Sequence, residues 1–141
     1  MITLDKQKEG TVTDDQRLEP EPSHAITVSS GHERVVVIVA GKVIADTRNA
    51  LTLHEASYPP VRYIPRADVD VQALERSSTT TYCPHKGAAA YYSVPVGGAG
   101  AVDAVWEYRD PHPVAAALKD HLAFHPDRVD SIDIEADGDP A

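Results

Sequence analysis

Between residues 25 and 135 the apolar positions fall in short runs of period two, cut at close intervals by proline, glycine or charge. That spacing marks half-buried strands rather than amphipathic helices. Arg34-Val35-Val36-Val37-Ile38-Val39 is almost wholly β-branched, stiff at χ1 and too short for a stable helix. Gly41-Lys42 offers a turn and Val43-Ile44-Ala45-Asp46-Thr47 returns, which predicts a hairpin. Leu51-Thr52-Leu53-His54-Glu55 alternates as a third strand, Tyr58-Pro59-Pro60 breaks it, and Val61-Arg62-Tyr63-Ile64 is a short fourth ended by Pro65. Asp68 is placed to cap a brief helix through about Arg76, with Val71 and Leu74 facing inward.

Further on, Thr79, Thr81 and Cys83 share one face of a strand while Thr80 and Tyr82 take the other. Ala88 to Val94 predicts the next strand, and Gly97-Gly98-Ala99-Gly100 reads as a flexible loop. Val102, Ala104, Trp106 and Tyr108 alternate with Asp103 and Glu107, which predicts a strand with those two carboxylates on its wet side. Pro113 suits the first turn of a helix lined by Val114, Leu118 and Leu122, and Val129 to Glu135 alternates weakly as a last strand. About eight short strands and one or two short helices predict a mainly-β α+β fold. It is a single compact domain, built as a barrel, a strongly bent sheet or a sandwich.

Length and charge sharpen this picture. A chain of 141 residues with 42% hydrophobic content suits one domain with a real core. The net charge of −9 sits mostly at the ends, with six acids against three bases in residues 1–24 and six against Arg128 alone in residues 126–141. Residues 1–24 therefore read as a flexible acidic leader, 25–135 as the domain and 136–141 as a flexible acidic tail. With a near-neutral middle and no basic stripe, nucleic acid is not an expected partner. No run approaches the roughly 18 apolar residues of a membrane span, and the start lacks an apolar secretory stretch, so the expected location is the cytoplasm. One cysteine excludes an intramolecular disulfide and any paired Cys-x-x-Cys zinc site.

The chemistry concentrates in Thr81-Tyr82-Cys83-Pro84-His85-Lys86-Gly87. Cys83 is either a small buried hydrophobe or a thiol whose anion the Lys86 ammonium would favour. Lys86 is either a solvated charge or, with Gly87 backbone N–H groups, a seat for an anion. Gly87 also suits a left-handed turn. Arg66 and Asp68 either hold their loop by a cap and an ion pair or bind a carboxylate or phosphate. Glu55 would pair with Arg66 or Lys86, or act as a general base. Tyr63, Tyr91, Trp106 and Tyr108 suit a core or a pocket wall. His54, Glu55, Cys83 and His85 do not form a recognised ligand pattern, so neither a metal nor a cofactor is expected.

Several of these stretches together resemble a known family, domain of unknown function 427, sometimes given a nucleotidyltransferase-type label. The resemblance covers roughly residues 25–135 and rests on Val43-Ile44-Ala45-Asp46-Thr47, on Glu55 and on Tyr63-Ile64-Pro65-Arg66-Ala67-Asp68-Val69. It continues through Cys83-Pro84-His85-Lys86-Gly87 with Ala89 and Tyr91, then Val105-Trp106-Glu107-Tyr108 and Phe124. It implies a small β-rich domain of bacteria and fungi with no settled activity. His85 stands where the family usually carries a bulky aromatic, which implies a packing role for its ring. The chain has no Gly-Ser pair followed by metal-binding aspartates and no Gly-x-x-x-x-Gly-Lys-Ser/Thr loop, so the nucleotidyltransferase label finds no motif here.

The leading expectation is a module binding a small polar, anionic ligand beside the Cys83–Gly87 turn. Arg66, Asp68, Lys86 and Gly87 would contact the ligand, with Tyr91 and Trp106 as walls. The alternative is an enzyme of hydrolase or transferase type, with Cys83 as nucleophile, Lys86 depressing its pKa, Glu55 or His54 moving protons and Arg66 holding the substrate. A third possibility is a structural or protein-interaction domain.

Overall fold

A computed structural model describes residues 25–136. The expected leader, and the expected tail beyond its first residue, lie outside the described residues. Ten strands run in chain order: β1 (Ile26–Ser30), β2 (Arg34–Val39), β3 (Lys42–Thr47), β4 (Leu51–Glu55), β5 (Val61–Pro65), β6 (Glu75–Cys83), β7 (Gly87–Ser93), β8 (Val105–Tyr108), β9 (His121–Phe124) and β10 (Ser131–Glu135). Seven form one antiparallel sheet in the order β1-β4-β5-β9-β8-β7-β6, and three form a second in the order β10-β2-β3. Of the three expected architectures the sandwich is the one adopted, because neither sheet closes on itself.

The β2–β3 hairpin turns through Ala40 and Gly41, both at positive φ, 51° and 77°, the backbone that a two-residue turn between twisted strands requires. Its Val35, Val37, Val39 and Ile44 are almost fully buried against Ile64, Val105, Leu122 and Phe124 of the large sheet and Val94 just beyond β7. The opposite face of that sheet buries a second cluster of Leu53, Tyr63, Ala89, Tyr108 and Ala123 under Ala115 and Leu118. The large sheet is thus covered on both faces over its centre.

Three local expectations are corrected. Asp68 caps no helix: two 3-10 turns, Arg66–Asp68 and Val71–Ala73, stand there, and Val71 is exposed. The Asp68 carboxylate accepts a hydrogen bond from Thr47 Oγ1 at 2.6 Å instead, tying this loop to β3. The helix expected from Pro113 to Leu122 is a 3-10 segment ending at Leu118, after which Asp120 at φ 64° reverses the chain into β9. Leu118 and Leu122 are both buried, but one plugs the outer cluster and the other the inter-sheet core. The Gly97–Gly100 stretch is no loose loop. It belongs to a 3-10 segment, Pro95–Ala101, and a Cβ on Gly97 would lie 2.6 Å from Val39 Cγ1. The two strands beyond the expected eight are β1 and β9.

Candidate functional site

Strand alternation decides which side chains meet. In β4 and β5 the register pairs Leu51 with Tyr63 and Leu53 with Val61, so Glu55 and Tyr63 look out from one face. In β7 and β8, Tyr91 lies opposite Trp106 and Ala89 opposite Tyr108, placing those side chains on that same face. The Cys83↔Gly87 pairing closes the β6–β7 hairpin beside them and projects Lys86 from the turn. A cavity of about 210 Å³ opens there, lined by Glu55, Lys86, Tyr63, Tyr91, Trp106 and Tyr108, with Tyr58, Pro59 and His125 at its edges.

At its polar end Lys86 Nζ donates to Glu55 Oε1 at 2.5 Å, with the two side chains only 12% and 14% exposed. The ammonium also lies 5.9 Å from the centroid of the Tyr108 ring, within cation–π range. The aromatic wall is held by contacts of its own. Trp106 Nε1 donates to Tyr63 Oη at 3.1 Å, with the rings edge to face at 6.1 Å. His125 packs 4.4 Å from the Trp106 ring and stacks on Tyr91 at 6.4 Å. Tyr91 Oη is fixed by Thr81 Oγ1 at 3.1 Å. Burial raises the phenol pKa values of Tyr63 and Tyr108, with the Glu55 charge adding to the shift, so both keep their protons across the working range. Burial lowers the imidazole pKa of His125, helped by the Arg128 charge, which keeps that ring neutral.

Cys83 is half-buried and alternates onto the cavity face with Thr81. Its carbonyl accepts from Lys86 N–H at 3.2 Å, which tightens the turn. Gly87 has φ 112°, and a Cβ there would meet the Asp110 carbonyl at 3.3 Å, so both conformation and space call for glycine. The half-buried His85 sits in the same turn.

Arg66 and Asp68 do not join this group. Arg66 follows the last residue of β5 and reaches the other face of the large sheet, where Nη2 donates to Glu107 Oε1 at 2.5 Å. Glu107 lies opposite Ala90, beside Tyr92, and is 2% exposed rather than on a wet face, because Arg66, Tyr92 and Arg109 close around it. Tyr92 Oη donates to Glu107 Oε2, which also accepts from Arg109 Nε at 3.2 Å, while Arg109 Nη2 donates to Tyr92 Oη at 2.8 Å. Burial alone would raise the Glu107 pKa. The hydrogen bonds from Tyr92 and Arg66, with the charges of Arg66 and Arg109, outweigh it and hold the carboxyl below its ordinary value.

Sequence reasoning did not single out His125, Tyr58 or Arg109. His125 follows β9, a strand that the Pro113 signal concealed, and Arg109 reads as a surface cation until Glu107 is known to be buried. Among the described residues no group of three or more His, Cys, Asp or Glu side chains is placed to hold a metal ion. Among them, too, no helix is long and apolar enough to cross a membrane. No curated protein matches the chain. One family model does, that of the domain of unknown function DUF427, over residues 27–135.

Proposed function

Since the chain belongs to the DUF427 family, whose description assigns no activity, we propose from its own geometry that it binds a small polar anion. The anion would carry a flat group and sit in the cavity between Lys86 and Trp106. One observation carries this: a largely buried Lys86–Glu55 pair faces an otherwise aromatic cavity. Taking two charges out of water is costly, and a single ion pair leaves most of their hydrogen-bonding capacity unused. A ligand carboxylate or phosphate takes a second N–H of the Lys86 ammonium, and its flat part lies against Trp106 and Tyr91. Few convergent polar groups in an apolar concavity are the usual makeup of a small-molecule site.

Thermal unfolding with benzoate and with phenyl phosphate tests this. Binding to the folded state adds about 2.7 kcal/mol at a hundredfold excess over Kd, so Tm rises with ligand concentration in the wild type and stays flat in Lys86→Met. If neither anion shifts Tm, or if the shift survives Lys86→Met, the proposal is wrong.

A second reading, a Cys83-dependent hydrolase or transferase, is supported by the placement of Cys83 on the cavity face near Tyr63 and Tyr108. Against it, the Lys86 ammonium is paired with Glu55 rather than directed at the thiol. Cys83→Ser separates the two: a binding module keeps its Tm response to the anion, whereas an enzyme keeps binding and loses turnover.

A further inference from the structure

A second cavity, about 280 Å³, lies between the two sheets on the far side of Trp106. Its walls are Val35 and Val37 of β2, Ile64 of β5, Phe124 of β9, and Ile132 and Ile134 of β10. Val35, Val37 and Ile64 form a floor at most 1% exposed, while Ile134 is 42% exposed and marks the rim. One cation enters this apolar space. Arg62 shares the face of Ile64 by strand alternation, and its Nη2 donates to Glu33 Oε1 at 3.2 Å. Its Nε–H is buried and meets no acceptor among the described residues. Arg62 also borders a polar depression lined by Ser29, Ser30 and His54, so it stands where an apolar space meets a polar one. Buried polar groups almost always have partners, and a guanidinium N–H without one invites an acceptor from outside the chain.

We propose that this cleft binds a medium-chain monocarboxylate. The alkyl chain lies among the valines and isoleucines, and the carboxylate accepts from the Arg62 Nε–H. Charge complementarity selects the acid over a neutral amphiphile. The space suits about eight to ten carbons, taking each as near the roughly 30 Å³ share of a water molecule. This site is separate from the Lys86 cavity: the two share Val61 and Trp106 as a wall, but Arg62 and Lys86 face opposite sides of the sheet.

Trp106 is the chain's only tryptophan and lines the cleft, so its emission reports binding. Decanoate titrated into the full chain, below its micelle concentration, is expected to give a saturable change, with decanol binding at least tenfold more weakly. Arg62→Gln is expected to weaken decanoate by tenfold or more and leave decanol unchanged, which also shows that the variant is folded. Lys86→Met is expected to leave decanoate affinity intact. Equal affinity for decanoate and decanol in the wild type, no saturable change, or an unaltered decanoate affinity in Arg62→Gln would each overturn the proposal. Loss of decanoate binding in Lys86→Met would place the acid in the aromatic cavity and overturn it as well.

Discussion

Glu107 and Glu55 are both carboxylates withdrawn from water and both paired with cations, yet they sit in opposite circumstances on the two faces of one sheet. Glu107 accepts from Arg66, Tyr92 and Arg109 and is 2% exposed, with the two arginines standing between it and an open depression. Both of its oxygens are engaged, by three donors in all, and the arginines around it rigidify the join between β5, β7 and β8. Among the described residues the Glu55 carboxylate is held by Lys86, and the pair borders a cavity. A saturated buried charge is structural, and one with capacity to spare beside a concavity is where a ligand can enter.

The sharpest way to break the contrast is Glu107→Gln. It leaves Arg66 and Arg109 uncompensated, but their side chains are 40% and 56% exposed and can turn to water. The loss therefore falls below the about 3–5 kcal/mol of a fully buried pair, near about 2 kcal/mol in urea unfolding. The sign with pH follows from the lowered carboxyl pKa. Stability from Glu107 is complete above its ordinary value of 4.5 and is lost as pH falls through the lower folded value, a loss that Glu107→Gln should not show.

Gly97→Ala probes the packing on the same face. The new methyl meets Val39 Cγ1, a branched side chain with no room to rotate away, so a loss of about 1–3 kcal/mol is expected in the same assay. On the cavity face, Lys86→Met should cost less than about 1 kcal/mol, because the apolar side chain of similar length still packs on Tyr108 and Glu55, bordering the cavity, can be hydrated from it. A loss as large as that of Glu107→Gln would make the Lys86–Glu55 pair structural and erase the contrast.

The smallest effect is a titration. His125 is held neutral by burial and by Arg128, so its folded pKa lies below the ordinary 6.5. Its contribution to stability is complete above 6.5 and is lost as pH falls below that value through the folded pKa. Trp106, 4.4 Å away, should report this as an emission change centred below pH 6.5 that His125→Phe abolishes. A midpoint at or above 6.5 would contradict the burial assigned to this ring.

Much of this fold was legible because strand signals are local. The β-branched run of β2, the turn at Gly41 and the alternation of β4 all appear where period two places them. What failed was non-local. Leu122 looks like the next turn of a Pro113 helix, and only pairing with Ile64 makes it a strand residue. Glu107 alternates as a wet residue, and only Arg66, brought in from the end of β5, with Tyr92 and Arg109 buries it. For the site, alternation alone placed Thr81 and Cys83 on one face, and Lys86 was one of two named partners for Glu55. Arg66 and Asp68 are charged groups in a turn at a strand end, a setting that suits a binding site. The 3-10 turn after β5 directs them instead to Glu107 and Thr47, contacts that sequence spacing does not reveal.

The most direct measurement is the affinity of phenyl phosphate, by calorimetry, for the wild type, Lys86→Met and Glu55→Gln. If the anion takes the Lys86 ammonium from a pair with capacity to spare, the two variants must move in opposite directions. Binding is lost in Lys86→Met and tightens several-fold in Glu55→Gln, where the competing carboxylate is gone. Equal weakening in both variants, or no change in either, would contradict the assignment of this pair as the ligand's seat.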